Sequence, residues 1–168
     1  MKSQHNSAKV TILVSDIDGV LTDGYVWLDG GGNEMKRIFF RDVDALFDLH
    51  RNGFTVAFIT GEQGAWVEMI KGRLPHKYFY SGCREKQKAV QEILALEGAE
   101  RAALCYIGDG MSDVPAMEVA GVAVCPANGS MEALAAADVV LSVNGGQGAI
   151  VELARLLKSG ALPGKASP

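Results

Sequence analysis

Three segments of the chain each place polar residues directly after a short apolar run. These residues are Asp16 and Asp18 after the first run, Thr60 and Gly61 after the second, and Asp109 and Asp113 after the third. A single Asp or Gly after a strand is common as a turn or helix-capping residue, but capping does not explain all three segments together. Clustered carboxylates repel one another unless a cation lies among them, and their hard oxygen atoms suit Mg²⁺. A metal ion held by few protein ligands commonly partners a phosphate, so the pattern predicts phosphate chemistry.

The apolar runs predict the strands that bring these segments together. Five runs are β-branched and bounded by Gly or Asp, which is typical of strands buried on both faces. They are residues 10–15, 55–60, 104–107, 122–124 and 139–141, and helical patterns lie at 43–52, 63–74, 85–96, 112–120 and 148–157. This alternation predicts an α/β fold, a doubly wound Rossmann-like parallel sheet with helices on both faces. Active sites of such sheets lie at the carboxyl ends of the strands, so the three polar segments should meet at one edge.

One segment interrupts the alternation directly after the first strand. Residues 25–28 and 35–40 have strand character and flank the glycine-rich stretch 29–33, which predicts a β-hairpin flap over about 24–40. We expect one domain over residues 1–168, with a core of about 10–158 and no separate cap domain. The tail, 159–168, has no apolar period and is expected to be loose.

Composition narrows the classes of protein to which the chain can belong. Of its 168 residues, 48% are hydrophobic and 21% are charged, which is typical of a globular protein. The net charge of -4 argues against a nucleic-acid partner, which would require a basic face. The apolar stretch before Asp16 is too short for a signal peptide or a membrane span. The three cysteines lack the spacing of zinc or redox motifs, which agrees with a reducing cytosol. From these two observations we expect a cytoplasmic protein with no membrane partner.

The order and spacing of the polar segments resemble the haloacid dehalogenase superfamily of phosphotransferases. Asp16-Ile17-Asp18-Gly19-Val20, with Leu21-Thr22, looks like the first motif of that superfamily, and Thr60 after Phe58-Ile59 looks like the second. Lys86, at the end of Gly82-Cys83-Arg84-Glu85-Lys86, resembles the third motif, and Gly108-Asp109 with Asp113 resembles the fourth. The resemblance extends from residue 10 to about residue 157, and all four motifs occur in the required order.

Within this superfamily, the chain looks like the 3-deoxy-D-manno-octulosonate 8-phosphate phosphatase branch, in which a hairpin replaces the cap. The supporting motifs are residues 18–24, 59–62, 106–109 and 145–149. Close relatives of the branch act on nonulosonate 9-phosphates, and Glu62 follows their pattern more closely. The chain departs from the branch at Gly110, Ser112, Val43 and Gln147. These departures leave the nucleophile, acid, lysine and metal carboxylate in place, and leave both substrates open.

The resemblance implies a role for each motif residue. Asp16 would be the nucleophile that forms an aspartyl-phosphate, and Asp18 would be the general acid and base. Mg²⁺ would be held by Asp16, Asp109 and the backbone carbonyl of Asp18.

The remaining motif residues would act on the phosphate. Thr60 and the N–H of Gly61 would hold its oxygen atoms at a helix amino terminus. Lys86 would add positive charge, although helix geometry alone does not distinguish it from Lys88. Asp113 is expected to orient Lys86 or a metal-bound water rather than to contact the metal.

The flap is expected to assemble subunits and to contact the substrate. Relatives form tetramers in which the flap and a neighbour's tail cover the next active site. A two-stranded ribbon as apolar as this one is not stable alone in water, so we expect burial between subunits of a homotetramer, with packing on its own domain as the alternative. Lys36, Arg37 and Arg41 are candidates to meet a sugar-acid carboxylate, with full solvation as the alternative, and Glu62 is a further substrate-binding candidate.

These observations favour a Mg²⁺-dependent phosphatase acting on 3-deoxy-D-manno-octulosonate 8-phosphate, a small phosphorylated sugar acid. The alternative within the same class is a nonulosonate or N-acylneuraminate 9-phosphate phosphatase. A phospho-acceptor signalling domain of the receiver type also gathers carboxylates, a Thr and a Lys around Mg²⁺. Receivers lack an acid/base group at the position of Asp18, so this residue discriminates between the two classes. A third alternative, an inactive domain kept for oligomerisation, is disfavoured by the intact set of motif residues.

Overall fold

The computed structural model describes residues 9–163. The strands in chain order are β1 (Ile12–Ser15), β2 (Trp27–Leu28), β3 (Glu34–Met35), β4 (Thr55–Ile59), β5 (Tyr78–Tyr80), β6 (Leu104–Ile107), β7 (Val122–Cys125) and β8 (Val139–Val140). The helices are α1 (Phe40–Arg51), α2 (Ala65–Lys71), α3 (Lys86–Glu97), α4 (Val114–Val119), α5 (Met131–Ala136) and α6 (Ala149–Ser159). Short 3₁₀ turns lie at Arg101–Ala103 and Met111–Asp113.

Six strands form one parallel sheet in the spatial order β5-β4-β1-β6-β7-β8. The chain leaves β1 toward β4 on one side and later returns to β6 on the other. The order of strands therefore reverses beside β1, and a crevice at such a reversal is the usual ligand site of open α/β sheets. The predicted doubly wound α/β fold is confirmed.

The side chains of each strand alternate between two apolar clusters. Leu13 of β1 packs in one cluster with residues of α1 and α6, including Leu46 and Leu153. Ile12 and Val14 pack in the other cluster with residues of α3, α4 and α5. Both faces of the sheet are therefore covered, which explains why the strands read as continuous apolar runs rather than as alternating ones.

Several element boundaries differ from the sequence predictions. Strand β5 was not predicted, because its three half-buried aromatic residues at the sheet edge are too few to show a period. Helix α1 begins at Phe40 rather than at residue 43, so the predicted second flap strand over 35–40 is wrong beyond Met35. The predicted tail begins too early, since α6 continues to Ser159, and residues 164–168 lie outside the described residues.

The flap is a short antiparallel ribbon in which Trp27 pairs with Met35. The Asp29 carboxylate organises its turn by accepting hydrogen bonds from the N–H groups of Gly31 and Asn33 at 2.8 and 2.9 Å. At its base, an isolated bridge between Thr22 and Ile38 ties the ribbon to the loop after β1. Among residues 9–163, no helix combines the length and the apolarity needed to cross a bilayer.

Asp42 joins the two helices that cover one face of the sheet. Its side chain lies in α1, is fully buried, and accepts hydrogen bonds from the N–H groups of Gly148 and Val151 at 3.1 and 3.0 Å. These N–H groups lie at the start of α6, where the N-cap residue is Gly148 and has no side chain to cap with. A carboxylate from a neighbouring helix therefore performs the capping.

We expect Asp42→Ala to lower the free energy of unfolding by about 2 kcal/mol, because two buried N–H groups lose their acceptor. Urea denaturation measures the change. Asp44→Ala is the matched control, since Asp44 lies in the same helix but is exposed. Equal effects from the two substitutions would contradict the capping role of Asp42.

Candidate active site

Three acidic side chains converge at the carboxyl edge of the sheet. Asp16 follows β1, Asp109 follows β6, and Asp113 ends the 3₁₀ turn that precedes α4. One carboxylate oxygen from each lies within 4.8 Å of the others. The group lies where the strand order reverses, between β1 and β6. Asp18 belongs to the same loop as Asp16, but its carboxylate points to a different set of partners.

A buried ammonium group bridges two of these carboxylates. Lys86 is the first residue of α3, and its Nζ lies 2.8 Å from Asp16 Oδ2 and 2.7 Å from Asp113 Oδ1. Lys86 is 3% exposed, whereas Lys88 is exposed and pairs with Glu85 on the outer surface of the helix. Of the two lysines that the sequence left open, the structure places Lys86 at the carboxylate cluster.

Asp113 is saturated with hydrogen-bond donors. Its Oδ1 accepts hydrogen bonds from Lys86 Nζ at 2.7 Å and from the Tyr106 hydroxyl at 2.6 Å. Its Oδ2 accepts from the N–H groups of Asp109 and Gly110 at 3.1 and 3.0 Å. All of its strong lone-pair directions are thus engaged by the protein, which suits a group that positions Lys86 and Asp109.

The charges of the cluster are not balanced by Lys86 alone. Burial and the negative charge of Asp113 raise the pKa of Asp16 to about 8, although Lys86 opposes the rise. Burial and Asp113 likewise raise the pKa of Asp109 to about 6. Burial lowers the pKa of Lys86, but Asp16 and Asp113 outweigh it and raise the value above that of an ordinary lysine. A further cation beside Asp16 and Asp109 would favour their ionised forms.

The backbone after Asp18 passes directly over the Asp109 carboxylate. Gly19 has a φ of +77°, and a Cβ at this position would lie 1.9 Å from Asp109 Oδ2. Only glycine accommodates both the left-handed backbone and this close approach. The Asp18-Gly19 peptide therefore lies within reach of the same small volume as the carboxylates of Asp16 and Asp109.

Thr60 directly follows β4 and is buried, and its Oγ1 accepts a hydrogen bond from the N–H of Glu62 at 3.1 Å. The expectation that Thr60 and Gly61 lie at a helix amino terminus is wrong. Helix α2 begins only at Ala65, because the backbone makes a loop that ends at Gly64, whose φ is +108°. Any anion held here would therefore depend on the Thr60 hydroxyl and on loop N–H groups rather than on a helix dipole.

Lys36 of the flap reaches across the site. Its side chain is 3% exposed, and Nζ lies 2.9 Å from Asp18 Oδ1 and 3.2 Å from Glu62 Oε2. The same Nζ lies 4.8 Å from the centroid of the Trp66 ring. Burial lowers the pKa of Lys36, but Asp18 and Glu62 outweigh it and raise the value above that of an ordinary lysine. Of the three candidate flap cations, Lys36 is the one placed beside the motif residues.

The other two flap cations lie elsewhere. Arg37 is exposed, and its Nε lies 2.5 Å from Asp23 Oδ2, which anchors the base of the flap. Arg41 is in the first turn of α1, exposed, with its guanidinium 6.0 Å from the centroid of the Phe39 ring. The start of α1 at Phe40 rather than at residue 43 makes Arg41 helical.

The glycine-rich loop before α6 supports the loop after β1. Gly145 packs so closely that a Cβ would lie 1.7 Å from the carbonyl oxygen of Gly19. The N–H of Gly146 donates to the carbonyl of Val20 at 2.8 Å, and the N–H of Gly145 donates to Asn128 Oδ1 at 2.9 Å. Residues 145–146 therefore hold the Asp18-Gly19 backbone against Asp109.

Sequence reasoning missed two contributors to the site. Tyr106 is fully buried in β6, and its hydroxyl positions Asp113. A hydroxyl inside an otherwise apolar strand must find a buried partner, and this was the available signal. Trp66 lies beside Lys36, and the sequence carried no signal for this, because the contact depends on how the flap folds over α2.

Comparisons with known proteins agree with this geometry. A family model of haloacid dehalogenase-like hydrolases matches residues 79–153. A 3-deoxy-D-manno-octulosonate 8-phosphate phosphatase from Yersinia pestis is 31% identical over 151 residues, which cover 90% of this chain and 81% of the relative.

Solved structures of this phosphatase branch are also similar to the chain. The 3-deoxy-D-manno-octulosonate 8-phosphate phosphatase of Moraxella catarrhalis, in complex with magnesium, phosphate and the sugar acid, has a TM-score of 0.84 and 29% identity over 89% of this chain and 86% of that one. The cobalt-bound deoxy-D-mannose-octulosonate 8-phosphate phosphatase of Haemophilus influenzae has a TM-score of 0.84 and 29% identity over 90% and 88% of the two chains. By identity, coverage and fold, the chain belongs to the haloacid dehalogenase-like hydrolases and is similar to their 3-deoxy-D-manno-octulosonate 8-phosphate phosphatase branch.

Proposed function

We propose that this chain hydrolyses 3-deoxy-D-manno-octulosonate 8-phosphate, with Mg²⁺ as its cofactor and Asp16 as its nucleophile. One observation carries the proposal: the Asp16 carboxylate is held at the switch point of the sheet between Lys86 Nζ at 2.8 Å and the N–H of Ile17 at 2.7 Å. Family membership supports the reaction class, phosphate monoester hydrolysis. The relatives' activity supports the choice of substrate.

In the first half-reaction, an oxygen of Asp16 forms a bond to phosphorus and the ester P–O bond breaks. The product is an aspartyl-phosphate, and the leaving alkoxide takes a proton from Asp18. Asp18 is placed for this role two residues after the nucleophile, on the side of the site that faces the flap. Its Oδ1 receives a weak hydrogen bond from the Thr22 hydroxyl at 3.3 Å, which orients the carboxyl group.

In the second half-reaction, Asp18 takes a proton from a water molecule, whose oxygen attacks phosphorus. The bond between phosphorus and the Asp16 oxygen then breaks, which releases inorganic phosphate and restores the carboxylate. Throughout, Lys86 and the Thr60 hydroxyl stabilise charge on the phosphoryl oxygens, and the N–H of Gly61 is available as a further donor. Asp113 holds Lys86 in position through its contact at 2.7 Å.

The residues present fit a magnesium ion. Asp16 is buried and Asp109 is half-buried, both carboxylates have raised pKa values, and the Asp18 carbonyl lies on the backbone that Gly19 brings against Asp109. These three groups would hold the ion, while Asp113 remains occupied by its four donors. Mg²⁺ supplies positive charge that screens the Asp16 nucleophile from the phosphate dianion.

Lys36 and Glu62 line the mouth of the site, where the sugar acid would lie. An ammonium group suits the substrate carboxylate, and Glu62 can accept hydrogen bonds from sugar hydroxyls. Arg41 would contribute only from another subunit, because within its own chain it lies over Phe39. The position of Glu62 directly after Thr60-Gly61 also favours a second candidate, a nonulosonate 9-phosphate.

Two other classes are weakly supported. A receiver-type domain would lack an acid/base group at Asp18, and here this carboxylate is held in the mouth of the site by Lys36. An inactive assembly domain would have no need of a buried lysine between two carboxylates, which is costly unless the groups are used or fully paired. The three free cysteines agree with a reducing cytoplasm as the location of the enzyme.

A panel of sugar phosphates tests the substrate. We expect kcat/KM for octulosonate 8-phosphate to exceed that for arabinose 5-phosphate, a sugar phosphate without a carboxylate, because Lys36 favours a carboxylate. We also expect it to exceed that for nonulosonate 9-phosphates, because the relatives act on the octulosonate ester. Phosphate release is measured with Mg²⁺, and a chelator should abolish it. A higher kcat/KM for the nonulosonate 9-phosphates would establish the second candidate, and full activity in chelator would refute the metal site.

Substitutions at the first motif separate the two chemical roles. We expect Asp16→Asn to reduce kcat by about 10⁴-fold or more, because an amide cannot attack phosphorus. Asp18→Asn should slow both half-reactions and retain the nucleophile, so that phosphorylated protein accumulates. Intact-mass measurement after rapid quenching detects the aspartyl-phosphate. A loss of only a few-fold in Asp16→Asn would refute the nucleophile.

The proposal includes a homotetramer in which flaps are shared between subunits. The flap exposes large apolar side chains that its own subunit leaves uncovered: Tyr25 at 72%, Trp27 at 66%, Leu28 at 70%, Met35 at 60% and Phe40 at 66%. Apolar groups clustered in this way are typical of an association surface. A neighbouring subunit would bury them.

Light scattering tests the assembly. We expect the unmodified protein to run as a tetramer and the double variant Trp27→Ser, Leu28→Ser to give smaller species, because the apolar contact is lost. Met131→Ser is the matched control, since Met131 is 84% exposed but lies in α5, outside the flap. A monomeric unmodified protein would show that the flap does not assemble subunits.

A further inference from the structure

The contacts of Lys36 are unusual for a residue of an exposed flap. The apolar residues around it in the ribbon are largely exposed, yet the Lys36 side chain is 3% exposed. Its ammonium group has three donor directions. Asp18 Oδ1 takes one at 2.9 Å, Glu62 Oε2 takes another at 3.2 Å, and the face of the Trp66 ring, 4.8 Å away, covers the third. The flap is therefore fastened to two other segments of the chain by a single side chain.

This contact covers one side of the acid/base group, whose side chain remains 29% exposed. Asp18 Oδ1 is occupied by Lys36 and Thr22, and Asp18 Oδ2 is buried with no hydrogen-bond partner among residues 9–163. A leaving-group oxygen must come within hydrogen-bond distance of Asp18 to receive its proton. With Lys36 in this position, the side of Asp18 that faces the flap is covered.

We infer that Lys36 is a substrate-operated latch: it covers the flap-facing side of Asp18 until the carboxylate of the substrate draws its ammonium group away. The inference rests on the proposed function and adds a specificity mechanism to it. When a sugar acid binds, its carboxylate replaces the contacts that Lys36 loses. The free energy needed to move Lys36 is therefore offset. A phosphate ester without a carboxylate offers no such replacement and must bind the minor, open population.

Arg37 provides the contrast within the same flap. It is adjacent in sequence and also pairs with a carboxylate, but its partner is Asp23 and its side chain is 71% exposed. Its ion pair fastens the base of the flap without covering Asp18. If Lys36 and Arg37 only held the flap in place, substitution of either residue would have a similar effect on catalysis. If covering Asp18 matters, only substitution of Lys36 will change the relative kcat/KM for substrates with and without a carboxylate.

Steady-state kinetics on two substrates tests the latch. We expect Lys36→Met to lower kcat/KM for octulosonate 8-phosphate by about tenfold or more, because a charge-assisted contact is lost. The same variant should raise kcat/KM for p-nitrophenyl phosphate, chiefly through a lower KM, because an ester without a carboxylate no longer has to displace Lys36 in order to bind. Arg37→Met, the matched control, should change both substrates by the same factor.

Opposite changes for the two substrates in Lys36→Met, with parallel changes in Arg37→Met, support the latch. A fall in kcat/KM for p-nitrophenyl phosphate in Lys36→Met overturns it, since Lys36 would then only support the structure of the site. If the unmodified protein hydrolyses p-nitrophenyl phosphate but not the octulosonate ester, the proposed substrate fails. The carboxylate-operated latch is then judged by the binding measurement below, with the corresponding nonulosonate in place of octulosonate.

Trp66 fluorescence reports the latch without catalysis. The chain has two tryptophans, so Trp27→Phe leaves Trp66 as the only one. We expect octulosonate, which carries a carboxylate but no phosphate, to change Trp66 emission as Lys36 leaves the ring. The change should be absent in Trp27→Phe, Lys36→Met. Two outcomes contradict movement of Lys36. One is an equal change in Trp66 emission with and without Lys36→Met, and the other is no change in the Trp27→Phe variant.

Discussion

The buried ammonium of Lys86 is the interaction on which the site depends. It lies between Asp16 and Asp113, and desolvation would make either carboxylate costly to keep ionised without it. One lysine nevertheless leaves the cluster with an excess of negative charge, as the raised pKa values of Asp16 and Asp109 indicate. The carboxylates are therefore in position but not fully neutralised, and such a cluster can bind a divalent cation together with a phosphate.

Every element around Lys86 contributes to holding that geometry. Tyr106 and two backbone N–H groups fix Asp113, and Asp113 fixes Lys86. On the opposite side, the close approaches of Gly19 and Gly145 press the loop after β1 against Asp109. Helix α6 directly follows the loop that contains Gly145, and the side chain of Asp42 in α1 caps this helix. The site is therefore coupled to the packing of the sheet's outer layers.

The flap has two different surfaces. Its outer apolar side chains, led by Trp27 and Leu28, are exposed and suited to a neighbouring subunit. Its inner contact is a single lysine directed at Asp18 and Glu62. Assembly and substrate selection can therefore act through the same ribbon, because movement of its backbone would displace Lys36 as well.

The sequence by itself was enough to predict the fold class, the four motifs and the family, because buried parallel strands read as continuous apolar runs and the polar residues follow them directly. Helix geometry alone did not distinguish Lys86 from Lys88, since both lie near the start of one helix, and it was the match to the family motif that favoured Lys86. The structure shows that Lys86 is buried and Lys88 is exposed. Sequence reasoning also misplaced the start of α1, which begins at Phe40. Edge strand β5 was too short to show a period. The contacts of Lys36 with Asp18, Glu62 and Trp66 were decided only by the tertiary structure, because they join segments distant in sequence, and no local pattern of residues encodes a distance between such segments.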